Sequence, residues 1–182
     1  WSATMYLNFL YETPISHIAW YVDWIITTPL IVLALALTAQ VYHTAIAWDI
    51  TLLIMVAQVL TIVTGLLAHI TVSPEGMYVW FTVGCCAMLL VIYSIWEPLM
   101  RMAQEHSTLL YNKYVKLGFF VIALWCSYPI VWIISPLALN YISYTTTRIA
   151  FVILPLICKP GFGFIDMYYL HYVLQASHEH KE

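Results

Sequence analysis

Three ionisable side chains lie inside apolar runs: Asp23 in WYVDWIITTPL, and Lys159 and Asp166 in ICKPGFGFID. A charge facing lipid costs about 2.5 kcal/mol or more, so each should turn into a helical bundle and find a partner there. Lys159 stands between Pro155 and Pro160, with Gly161 and Gly163 after it, too far from either end of its run to snorkel. Each proline removes a helix hydrogen bond and frees a carbonyl nearby. An amine held in an apolar pocket is the nucleophile that condenses with an aldehyde to a Schiff base. Taken alone, Lys159 reads equally well as half of a structural ion pair or as part of an ion path.

Trp20 and Thr27 fall three before and four after Asp23 and share its helical face, while Trp24 and Thr28 lie on the neighbouring strip. A carboxylate, hydroxyls and indoles around one cleft are what a buried cation requires, although helix packing alone explains any single one of the tryptophans and threonines. Further on, Trp125, Tyr128 and Trp132 recur at spacings of three and four, with Pro129 as a kink. Such a stripe is usually core. Two indoles on one face can also sandwich a flat conjugated ligand.

The elements that must position these groups follow from composition. The 182 residues are 63% apolar and 16% aromatic, with six basic and nine acidic side chains. A soluble domain of this length would carry about 45 charges, so an ordinary water-soluble globule is excluded. With a net charge of −3 and no basic block, nucleic acid is excluded as a partner. The apolar runs predict spans over 18–43, 50–70, 77–96, 117–137 and 146–173. Residues 1–11 read as the end of a further span, too short to cross alone. The stretch 73–76 reads as a connection, and 97–116, the most polar, as a loop with helical shoulders. Cys85, Cys86, Cys126 and Cys158 sit in apolar runs without zinc or disulfide spacing and read as small core residues. No metal site is expected.

Arg101, Lys113 and Lys116 fall in one loop and Lys181 in the tail, which parity places on the same side; Arg148 marks the other. Lys and Arg accumulate on the cytoplasmic side, so the C-terminus is expected in the cytoplasm. Tyr78, Trp80, Tyr141 and Tyr144 near span ends fit an interfacial aromatic belt.

Taken together, WYVDWIITTPL at 20–30, Thr64-Gly65, WCSYPIVW at 125–132 and ICKPGFG at 157–163 resemble the microbial (type 1) rhodopsins over essentially the whole chain. The resemblance implies an all-α seven-helix membrane bundle, of which about five and a half helices are expected here, with Trp1 inside the second helix and TMYL at 4–7 as its remnant. It implies a single retinal-binding domain over 1–182, a multi-pass protein of the cell membrane and a photoreceptor or light-driven transporter, not an enzyme. It makes Lys159 the retinal-bearing lysine and Asp23 its counter-ion. Tyr6, Trp24, Thr28, Gly65, Met88, Trp125, Tyr128, Pro129, Trp132 and Cys158 become pocket walls.

The departures sharpen this. Outward proton pumps of the family carry Arg where Trp20 stands, a carboxylic donor where Ala34 stands and a second counter-ion Asp where Pro155 stands. Asp166, two turns past Lys159 and about 10 Å nearer the cytoplasm, is placed to accept a proton moving inward. His171 is a weaker partner for it by helical geometry. The set Trp20, Asp23, Ala34, Pro155, Lys159 and Asp166 is similar to the xenorhodopsins, inward proton pumps, and family habit implies a homo-oligomer, trimer or pentamer. Two other readings stay open: a sensory rhodopsin without net transport, since Pro155 also occurs in a sensory relative, and a light-independent transporter or channel lined by Asp23, Lys159 and Asp166.

Overall fold

The structure, a computed structural model, describes residues 14–179, and their side chains between 18 and 175. Tyr6 and the remnant span at 1–11 lie outside the described residues. Six α-helices and one π-helical turn follow in order: α1 Pro14–Ala39, α2 Trp48–Ile70, α3 Pro74–Ser94, the π turn Ile95–Leu99, α4 Met100–His106, α5 Thr108–Ile134 and α6 Tyr144–Glu179. α3 to α4 form one rod, so the described residues hold five helices long and apolar enough to cross a membrane. The all-helical expectation holds, and the described residues contain no strand.

Two connections differ from expectation. Residues 97–116 are not a loop: the helical shoulders meet, and Ser107 alone interrupts them. Ser107 has extended backbone (φ −161°, ψ 144°), and its hydroxyl accepts from Leu110 N at 3.0 Å. That cap satisfies one free amide of the first turn of α5. Polar residues here belong to helices that outrun the apolar layer, a situation that hydropathy alone reads as a loop. Likewise Pro74, Glu75 and Gly76 form the first turn of α3, because Ser73 accepts from Gly76 N at 3.2 Å and Pro74 needs no amide partner at that position.

Two apolar clusters fill the bundle. One is aliphatic, around Val32, Leu35, Ile54, Val91, Leu117 and Val121. The other is aromatic, built by Trp20, Tyr21, Trp24, Trp132 and Phe151. Tyr128 packs against both. Lipid is as apolar as these side chains, so close approach rather than water exclusion must hold the helices together. Gly84 shows it: a Cβ there would stand 2.7 Å from Thr64 Oγ1, so α3 meets α2 at a distance only glycine allows.

The π turn contains Pro98, which cannot donate into a regular ladder. The Tyr114 hydroxyl of α5, fully buried, donates to the Ile95 carbonyl at 3.2 Å and ties α5 to this turn. At the same end, buried Gln40 closes α1 onto α2 by accepting from Ala47 N at 2.7 Å and donating to Ala36 O at 3.0 Å.

The cysteines correct the expectation of four core residues. Only Cys158 is buried; Cys85 and Cys126 are half-buried and Cys86 is exposed. An apolar run in a membrane helix serves its lipid face and its core face alike. Tyr78, Trp80, Tyr141 and Tyr144 are exposed at one end of the bundle.

Candidate functional site

α1 and α6 meet through side chains at two levels. At the first, the Lys159 ammonium donates to Asp23 Oδ2, with the Asp23 side chain 5% and the Lys159 side chain 27% exposed. Asp23 is the one charged residue among the buried side chains described. Pairing makes that tolerable, since an uncompensated carboxylate at this depth would turn toward water or take up a proton. At the second level the Thr38 hydroxyl donates to Asp166 Oδ1 at 2.7 Å. Both α6 residues therefore reach the same helix, as their two-turn spacing predicts, and α1 carries a partner for each. His171 is exposed, and Asp166 bonds to Thr38 instead.

Beside Lys159 lies an apolar cavity, open on one side, of the concave, mostly apolar kind that takes small molecules. Trp24, Thr28, Gly65, Met88, Trp125, Tyr128, Pro129, Trp132 and Cys158 all line it with Lys159. The aromatic cluster walls one side: Trp132 stacks on Phe81 (centroids 4.3 Å, planes 15° apart), and Trp24 stands edge-on to Tyr128 at 5.3 Å. Trp24 Nε1, Trp132 Nε1 and Gln58 Oε1, all on lining residues, are buried without a hydrogen-bond partner among the described residues. Orphaned buried polar atoms around one cavity mark a place for an occupant.

Five expected site residues lie off the cavity wall, and one of them, Asp23, meets it only through Lys159. Trp20 packs edge-on against Phe151 at 6.0 Å within the aromatic cluster. Pro155 is buried one turn before Lys159, and Asp166 lies at the second level. Thr27 departs from its expected part: its hydroxyl donates to the Asp23 backbone carbonyl at 2.7 Å, not to the carboxylate. A helical threonine commonly bonds back one turn in this way. Thr28 does likewise to Trp24 O at 2.9 Å, leaving its oxygen to accept from Gln58 Nε2 at 3.1 Å.

Sequence reasoning missed Tyr21, Gln58, Phe81, Gly84, Cys85 and Phe151 on the cavity wall. Helical spacing could have found most of them. Gln58 stands seven before Gly65, and Gly84 and Cys85 stand four and three before Met88, so each continues a strip already marked.

The family model of bacteriorhodopsin-like proteins matches residues 1–173. Archaerhodopsin-2 of Halobacterium sp. (strain aus-2) is 32% identical over 149 residues, which are 82% of this chain and 56% of that protein. Sensory rhodopsin-2 of Haloarcula vallismortis is 34% identical over 152 residues, 83% of this chain and 62% of that protein. The chain thus spans little more than half the length of these relatives. Among solved structures, that of the inward H(+) pump xenorhodopsin superposes with a TM-score of 0.80 at 37% identity, covering 94% of this chain and 76% of that one.

Proposed function

The chain belongs to the bacteriorhodopsin-like family of microbial rhodopsins, and on that premise we propose that it is a light-driven inward proton pump with retinal carried on Lys159. The cavity suits that cofactor: its walls are apolar and aromatic, its orphaned polar atoms lack partners among the described residues, and the amine on its wall is already paired with a carboxylate. Retinal, bound to the amine as a Schiff base, supplies light absorption and a change of shape. Trp24, Thr28, Gly65, Met88, Trp125, Tyr128, Pro129, Trp132 and Cys158 hold it, and Asp23 neutralises the Lys159 nitrogen in the dark.

The observation that carries the direction is the placement of the two carboxylates. Asp23 lies beside the Lys159 nitrogen, and Asp166 lies beyond it toward the end of the bundle that holds Arg101 and Lys113, with a hydrogen bond from Thr38 already in place. By the Lys and Arg bias that end is cytoplasmic, as is the C-terminus. Asp166 takes the proton leaving the Lys159 nitrogen, and the nitrogen is recharged from outside through Asp23. On the outward side Trp20 fills its site with an indole inside the aromatic cluster, and Pro155 offers no second carboxylate. The likeness to the inward H(+) pump xenorhodopsin supports the same reading. The whole chain serves as one multi-pass domain of the cell membrane, and its exposed apolar faces suit the trimer or pentamer that the resemblance implies.

The test is the sign of the light-induced pH change. Cells making the full-length protein with retinal should alkalinise their medium on illumination, and a protonophore should abolish the change. Acidification of the medium would overturn the inward direction. A coloured protein that moves no protons would leave the sensory reading, which the likeness to sensory rhodopsin-2 favours.

A further inference from the structure

The proposed pump needs a way out for the proton once Asp166 holds it, and the structure contains a second, smaller cavity at that level. It lies between α1, α5 and α6, with Thr38 at one side and Lys113, Tyr114, Leu117, Tyr169 and Val173 among its walls. Thr38 is the residue that donates to Asp166 Oδ1. Lys113 stands in the second turn of α5 and is half-buried; its ammonium sits 4.5 Å from the centroid of the Tyr172 ring and 4.9 Å from that of Tyr169. These tyrosines follow Asp166 by six and three residues on α6, so the clasp lies one to two turns past the carboxylate, toward the bundle end. On the α1 side the Tyr42 hydroxyl donates to Val173 O at 3.1 Å.

From this arrangement we propose that the cavity is the proton's exit and that Lys113, seated on Tyr169 and Tyr172, is the gate that keeps it closed. The inference rests on the inward-pump reading. Closed, the cavity is apolar and too small for a chain of water, so among the described residues it offers Asp166 no hydrogen-bonded route. When Lys113 leaves the two rings, the first turns of α5 part from α6 and water enters beside Thr38. The O–H bond of protonated Asp166 then breaks, the proton passes to that water and on to the cytoplasm, and the carboxylate again accepts from Thr38. Lys113 and the two tyrosines are positioning residues, since none touches the reacting nitrogen.

The full-length protein with retinal, oriented in lipid vesicles and excited by a flash, separates the steps. The carboxylic C=O stretch of Asp166 times the arrival of the proton, and a pH dye on the Asp166 side times its release. With Tyr169→Leu and Tyr172→Leu together, the lag between the two signals should shorten on the order of tenfold, the factor expected for losing two partly exposed cation–π contacts. The absorbance and the arrival time should stay as in the unaltered protein. Lys113→Arg, which keeps a cation on the rings, should keep the lag. Lys113→Gln, a single mild change, should shorten it if the double variant does not fold. An unchanged lag in Lys113→Gln or in the double variant overturns the gate. If instead Asp166→Asn leaves inward transport intact, it is the acceptor reading that has failed, and the exit falls with it.

Discussion

On one side of Lys159 the bundle core is aromatic, with Trp20, Tyr21, Trp24, Trp132 and Phe151 packed on one another; on the other it is aliphatic, with Val32, Leu35, Leu117 and Val121. Apart from Lys159 to Asp23 and Gln58 to Thr28 at the cavity, the aliphatic side carries the side-chain bonds between elements, among them Thr38 to Asp166, Gln40 to Thr51, Tyr42 to Val173 and Tyr114 to Ile95. Rings with few rotatable bonds fix a shape, whereas hydroxyls and amides set in a smooth aliphatic wall can exchange partners at small cost to packing. The contrast assigns two jobs. Under the function proposed above, the aromatic side would define the cavity and the spectrum, and the aliphatic side would carry the proton.

The most severe test of that division removes the residue on its border. Lys159→Ala should abolish the visible absorbance of the full-length protein given retinal; colour from retinal attached elsewhere would remove the site itself. Next, Asp166→Asn should stop inward proton movement in the light while leaving the absorption maximum where it was, read by vesicle pH and by spectroscopy on one preparation. A large colour change there would break the separation of the two sides. Trp132→Ala removes a ring stacked on Phe81 and should lower stability by about 3–5 kcal/mol, seen as faster thermal bleaching and a shifted band with transport still inward. The smallest effect is expected from Thr38→Val, which keeps shape and loses the bond to Asp166. That bond favours the carboxylate by about 1.5–3 kcal/mol, so release of the proton from Asp166 should slow at least tenfold with unchanged colour, whereas Thr38→Ser should restore the rate.

The two sides were unequally legible in the sequence. Charges in apolar runs are rare enough to announce themselves, so Asp23, Lys159 and Asp166 stood out, and spacing brought Trp24, Thr28, Trp125, Tyr128 and Trp132 with them. Phe151 did not, because a membrane helix is apolar on its lipid face and its core face alike, and Gln58 and Phe81 are found only by extending the strips that Gly65 and Met88 mark. Thr38 was invisible for a different reason: one hydroxyl near the end of a span has no meaning until α6 brings Asp166 to it. The helices beyond the apolar layer were hidden by their polarity, with Glu97 and Arg101 pairing one turn apart on a helix that hydropathy reads as loop.

The joint at Ser107 has a mechanical consequence. α1 and α2 are separated by residues 40–47, across which Gln40 ties them, but α4 and α5 share a single linking residue. A swing of the first turns of α5 must therefore drag α4 along, and the lever ends at the wide turn Ile95–Leu99, where the regular ladder is already interrupted and Tyr114 of α5 is attached. On the gate proposed above, the two helices would act as a crank with its bearing at Pro98, and stiffness at that turn would set how far the α5 end travels.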